Sequence, residues 1–154
     1  MANHLNLIKT KALIIQSKPF FEKDIKCLLF TNKHGKISAL AKHASHQKKR
    51  TQGKYEPLCL VDLVLFKGKS FYLINQCDLD YNFTKIRQNY NKLMLSFYIF
   101  SILKKISVEN QKNDNLFDLV ISTLKNLETS EQLDKIRELF EKNILINEGV
   151  IDPR

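Results

Sequence analysis

The chain has 154 residues and a mass of 18.0 kDa, enough for one domain or two small ones and for a core that needs no disulfides. With 44% hydrophobic and 27% charged residues it is not disordered as a whole, and 25 Lys/Arg against 16 Asp/Glu, a formal +9, favours a polyanionic partner. Cys27, Cys59 and Cys77 are odd in number and contain no C-x-x-C, which argues against a disulfide scaffold, excludes a four-thiolate zinc site and points to a reducing compartment.

Residues 8–16 (IKTKALIIQ) alternate and then become β-branched, the pattern of a strand, which Ser17-Lys18-Pro19 is expected to break because proline lacks the donor a central strand needs. Residues 25–31 (IKCLLFT) form a second strand. Asn32-Lys33-His34-Gly35 is a turn in which Gly35 can take positive φ. In 36–42 (KISALAK), Ile37, Ala39 and Ala41 share one face and Ser38, Leu40 and Lys42 the other. Residues 43–57 have no apolar periodicity and end in Pro57. Residues 58–66 (LCLVDLVLF) read as a buried strand, Lys67-Gly68-Lys69 as a tight hairpin turn, and 70–79 (SFYLINQCDL) as its partner strand. Five short strands fit a small closed barrel of the OB type, with an SH3-like barrel as competitor.

After Tyr81 the pattern becomes helical. Residues 85–106 are apolar over most of a helix circumference, which predicts a segment central to a helical core. Its densest stretch, Leu93 to Leu103, is too short to span a bilayer. A polar loop over 107–114 precedes a helix over 115–127. Thr129 with Gln132 has the spacing of a capping box for a third helix carrying Leu133, Ile136, Leu139, Phe140 and Ile144, closed by Gly149 with Pro153 beyond. The fold class expected is α+β: a five-stranded OB-type barrel over 1–81, then a small all-helical domain over 82–154. Lys9 and Lys11 interrupt any signal-peptide core near the start, so a soluble, cytoplasmic protein is expected.

The charge is lopsided. Residues 1–81 hold 14 Lys/Arg against 6 Asp/Glu, whereas residues 82–154 hold 11 against 10. The run from Lys33 to Lys54 carries Lys33, Lys36, Lys42, Lys48, Lys49, Arg50 and Lys54 and no acid. Phosphate backbones favour such a run, because each neutralised phosphate releases counterions. Lys67 and Lys69 add to it from the hairpin, and Tyr55 and Tyr72 are the aromatics expected to be exposed for base stacking. No phosphate-cradling glycine loop, G-x-S-x-G or H-E-x-x-H occurs, and His43 and His46 have no Cys or acid nearby to complete a metal shell. Glu22 and Asp24 read as a solvated turn. No catalytic residue, cofactor or metal is implied.

The run Pro19-Phe20-Phe21-Glu22-Lys23-Asp24, then Leu29-Phe30-Thr31, then His34-Gly35-Lys36-Ile37-Ser38-Ala39-Leu40-Ala41-Lys42 resembles the bacterial recombination-repair mediator family RecO. So do Pro57-Leu58 leading into Val61-Asp62-Leu63-Val64-Leu65, the Lys67-Gly68-Lys69 turn, Asn115-Leu116-Phe117-Asp118-Leu119, Phe140-Glu141 and the closing Gly149. The resemblance covers nearly the whole chain in the family's order. It implies an OB barrel and a helical domain, binding of single- and double-stranded DNA, strand annealing, action with RecR, contact with the single-strand-binding protein and help in loading RecA. Two features depart from it. The family usually has Lys-Gly where this chain has Lys42-His43, and most relatives are longer, often with a four-cysteine zinc module in the helical part. A fragment and a shortened, zinc-free member both satisfy that difference. A protein-interaction adaptor and an RNA-binding OB protein are the competing functions.

Overall fold

The computed structural model describes residues 7–44 and 53–152. Five strands, β1 (Leu7–Phe20), β2 (Asp24–Thr31), β3 (Gly35–Ala41), β4 (Leu60–Lys67) and β5 (Tyr72–Tyr81), close into a barrel in the order β1-β2-β3-β5-β4. All neighbours are antiparallel except β3 and β5, whose short parallel pairing of Ala39 with Tyr72 and Leu40 with Leu73 completes the ring. Closure leaves a narrow interior. Small residues fill it, with Ala12, Ala39, Cys27, Cys59 and Cys77 interleaved among Ile14, Leu29, Ile37, Val61, Leu63, Leu65 and Tyr72. This is the OB-type barrel of the expected α+β class.

Several strand boundaries differ from expectation; β4, expected from residue 58, begins at Leu60. Strand β1 does not stop at Ser17 but runs through Pro19, which lies opposite Ile25. The reason is that β4 accompanies β1 only from Leu7 to Leu13. Beyond that point, among the described residues, only β2 pairs with it, so Pro19 stands in an edge segment, where proline is tolerated. A register shift between Ile14 and Gln16 bends the strand where its partners change. The β4–β5 connection is also longer than a tight turn: Gly68–Phe71 loop out, and β5 spans Tyr72–Tyr81. The Gly68 N–H donates to the Phe71 carbonyl at 3.1 Å.

Ser107–Lys112 clusters with Met1–Asn82 as one compact unit. Its backbone lies along β3: the Asn110 N–H donates to the Lys36 carbonyl at 3.1 Å, and the Tyr72 hydroxyl donates to Asn110 Oδ1 at 2.7 Å. Gly35 sits under this segment at φ +63, and a Cβ there would stand 2.1 Å from the Gln111 carbonyl oxygen. Glycine is therefore required twice over, for backbone conformation and for space.

The second unit, Phe83–Ile106 with Asn113–Arg154, contains α1 (Thr84–Arg87), α2 (Tyr90–Ile106), α3 (Asp114–Thr129) and α4 (Leu133–Asn147). The expected single segment over 85–106 is thus two helices. Asn89 starts the second by accepting the Lys92 N–H on its side chain at 3.1 Å. Helix α2 buries one side only, through Lys92, Ser96, Ile99, Phe100 and Leu103, and leaves Tyr90, Met94 and Phe97 exposed. The buried Lys92 ammonium donates to the Glu128 carbonyl at 3.1 Å and lies 3.5 Å from Glu131 Oε1. The predicted capping box is absent. Thr129 is the last residue of α3, and Gln132 makes no side-chain cap; its N–H instead donates to Ser130 Oγ at 3.0 Å. Gly149, at φ +77, ends α4 with its N–H on the Ile146 carbonyl and the Val150 N–H on that of Leu145, a Schellman closure.

Candidate nucleic-acid interface

The β2–β3 turn is built around Thr31. Its hydroxyl donates to the Gly35 carbonyl at 2.9 Å and accepts the His34 N–H at 2.9 Å. Asn32 ties the turn to β1 by accepting the Lys11 N–H at 3.2 Å and the Thr10 hydroxyl at 3.0 Å. The tightened turn carries Lys33 exposed and His34 half-buried. Burial lowers the His34 pKa below its ordinary 6.5, and the charges of Lys33 and Lys67 lower it further. Two of the predicted cations, Lys33 in the β2–β3 turn and Lys67 at the end of β4, therefore act on one imidazole.

The other predicted residues are spread over the barrel. Lys36 is half-buried on β3, where its backbone bridges to Glu109. Lys42 is exposed just after β3, beside His43, whose N–H donates to Asp24 Oδ1 at 3.0 Å. Lys69 is exposed in the β4–β5 loop. Lys54 lies close enough to Cys77 for its charge to oppose the burial that pushes that thiol up to about 12. Lys48, Lys49 and Arg50 lie outside the described residues.

The two tyrosines are not the exposed stacking rings the sequence predicts. Tyr72 is 9% exposed and belongs to the barrel core, because its pairing with Ala39 and Lys67 turns it inward and its hydroxyl finds Asn110. Tyr55 packs against the same core, and burial beside Cys77 and Cys27 raises its pKa. The chain arrives from Pro57 and Leu58 already hydrogen-bonded to β1, with the Leu58 N–H on the Ile14 carbonyl at 3.0 Å, which holds this segment against the barrel.

Sequence reasoning also passed over two features of this half. Lys11 is neutralised by Asp62 at 3.0 Å and Asp80 at 2.6 Å, carboxylates from β4 and β5. Lys11 and Asp62 line a cleft of about 500 Å³ together with Lys9, Lys33 and Asp78, so this side of the barrel is not uniformly basic. At the β1–β2 tip, Lys26 stands over the Phe71 ring at 4.5 Å and the Phe20 ring at 5.7 Å, with Phe21 exposed beside them. Alternation marks Lys26 as outward-facing, but nothing in the sequence says that residues 20, 26 and 71 meet. Among the described residues, no group of three or more His, Cys, Asp or Glu is placed to hold a metal ion, and no helix is long and apolar enough to cross a membrane.

Residues 3–83 match the family model for the recombination protein O N-terminal domain. The chain is similar to three curated proteins named DNA repair protein RecO. That of Alkaliphilus metalliredigens is 32% identical over 145 residues, 94% of this chain and 59% of that protein. That of Caldanaerobacter subterraneus subsp. tengcongensis is 32% identical over 136 residues, 88% and 54%. That of Acetivibrio thermocellus is 32% identical over 146 residues, 94% and 58%. The chain spans somewhat over half the length of these relatives.

Proposed function

The chain belongs to the recombination protein O (RecO) family, and from that premise we propose that it is a non-catalytic DNA-repair and recombination mediator whose barrel, residues 1–81, binds DNA and whose helical part, residues 82–154, supports it. The observation that carries the reading is an OB-type barrel, matched by the family over 3–83, that bears nearly all of the chain's excess positive charge. The mechanism is electrostatic. Lys33 and Lys67 beside His34, Lys36 and Lys42 on and after β3, Lys69, Lys54 and the Lys48, Lys49 and Arg50 run capture phosphate. Screening two backbones at once lowers their repulsion and favours annealing of complementary single strands. RecR, the single-strand-binding protein and, through them, RecA are the partners this role calls for.

A titration of labelled oligonucleotide against salt tests the reading. Neutralising about five phosphates of a single strand gives a log–log slope near −3.5. A slope near zero removes the electrostatic mechanism. An annealing assay with and without the single-strand-binding protein tests DNA and partner contact together. A second reading, an adaptor that docks proteins, draws on the exposed Tyr90, Met94 and Phe97 of α2. A pull-down that survives nuclease, with no shift of any oligonucleotide, would favour it.

A further inference from the structure

We propose that Phe21, backed by Phe20, Phe71 and Lys26, is a stacking platform for a base of single-stranded nucleic acid; this rests on the DNA-binding reading and says where on the barrel a strand is held. Phe21 is 81% exposed, so burial does not account for a phenyl ring there. Its backbone sits at φ +54, a conformation suited to glycine and strained for an aromatic residue. Strained backbone residues cluster at functional sites, ligand clamps among them.

The ring is also held in place. Phe20 meets Phe21 edge to face with centroids 4.6 Å apart and meets Phe71 in the same manner at 5.6 Å. These contacts join the β1–β2 tip to the β4–β5 loop. In OB barrels those are two loops that border the oligonucleotide-binding side. The Lys26 ammonium, 4.5 Å from the Phe71 centroid, puts a cation within the cluster. Lys18 is Lys26's cross-strand partner, and Lys18, Lys23 and Lys69 are exposed on the same hairpin and loop. The acids on the hairpin are Glu22 and Asp24, and Asp24 accepts the His43 N–H. A ring open to solvent, on a hairpin and beside a loop that carry exposed lysines, matches a nucleotide: base on the ring, phosphate on the lysines. Duplex DNA keeps its bases stacked inside, so the platform selects single strands.

The chain contains no tryptophan, so Phe21→Trp places a sole indole at the platform. Titration with oligothymidylate and, in parallel, oligouridylate is expected to quench that emission saturably, and the strand that quenches at lower concentration identifies DNA or RNA as the preferred source. Phe21→Gly relieves the backbone, so the fold is retained while binding of labelled oligothymidylate weakens roughly tenfold and duplex binding is unchanged. Unquenched indole emission while the labelled strand still binds by anisotropy overturns the platform and leaves the DNA reading standing. Absence of any anisotropy change at low salt overturns the DNA reading, and the platform with it.

Discussion

His43 sits at φ +59, in the left-handed region that glycine occupies at little cost. A non-glycine residue in that region costs about 1 kcal/mol or more, partly offset because glycine loses more freedom on folding. The bond that holds the position uses the backbone N–H to Asp24 and survives substitution. His43→Gly is therefore expected to raise stability by up to about 1 kcal/mol in a urea titration. A loss of stability would mean that the imidazole itself contributes more than the strain costs. At His34 the sign of the pH effect follows from its depressed pKa, caused first by burial and then by Lys33 and Lys67. Between the folded value and 6.5 the unfolded chain binds more protons. This contribution is fully present above pH 6.5 and fades as pH falls through the lower folded value. Phosphate bound to Lys33 and Lys67 would cancel their effect. A proton NMR titration is therefore expected to show the His34 imidazole titrating below 6.5 in the free protein and moving upward with oligothymidylate bound.

At the scale of the element, endings depend on side chains whose roles spacing does not reveal. Helix α3 begins at Asn113, which accepts the Leu116 N–H at 3.0 Å. Asn113→Ala is expected to cost about 1 kcal/mol, read as an earlier loss of helical circular dichroism in urea. Helix α4, by contrast, starts without a side-chain cap from Gln132, although the Thr129/Gln132 pair has the right spacing. The α3 backbone runs on through Thr129, so that residue was spent before it could cap anything. Gly149 was legible because the Schellman closure needs positive φ and few residues supply it cheaply. Pro19 misled for the opposite reason. Proline is kept out of central strands, and among the described residues β1 pairs only with β2 at that position.

Across the whole molecule, the charge asymmetry was legible in composition, but its arrangement was not. Asp62 and Asp80 come from two strands to meet Lys11, so part of the first half's positive charge is neutralised within the barrel. Replacing Lys48, Lys49 and Arg50 together with alanine is expected to weaken binding to all strand sequences alike, since phosphate contacts carry no base information. A triple variant that binds as wild type in the anisotropy assay would mean that those cations are only solvated. Unlike that uniform loss, substitution at Phe21 should spare duplex, which separates stacking from charge.

Alternation and turn chemistry determined from the residues alone that five strands exist, where Gly35 and Gly149 turn the chain, and that cations crowd the first half. Period-two patterning names two faces of each strand without saying which is inside. Barrel closure decided that, drawing Tyr72 inward through its parallel pairing beside β3 and leaving Phe21 outside at the tip of β1 and β2. Contacts between residues 20, 26 and 71 depend on a ring of hydrogen-bonded strands, and no local rule acts across such a distance in sequence.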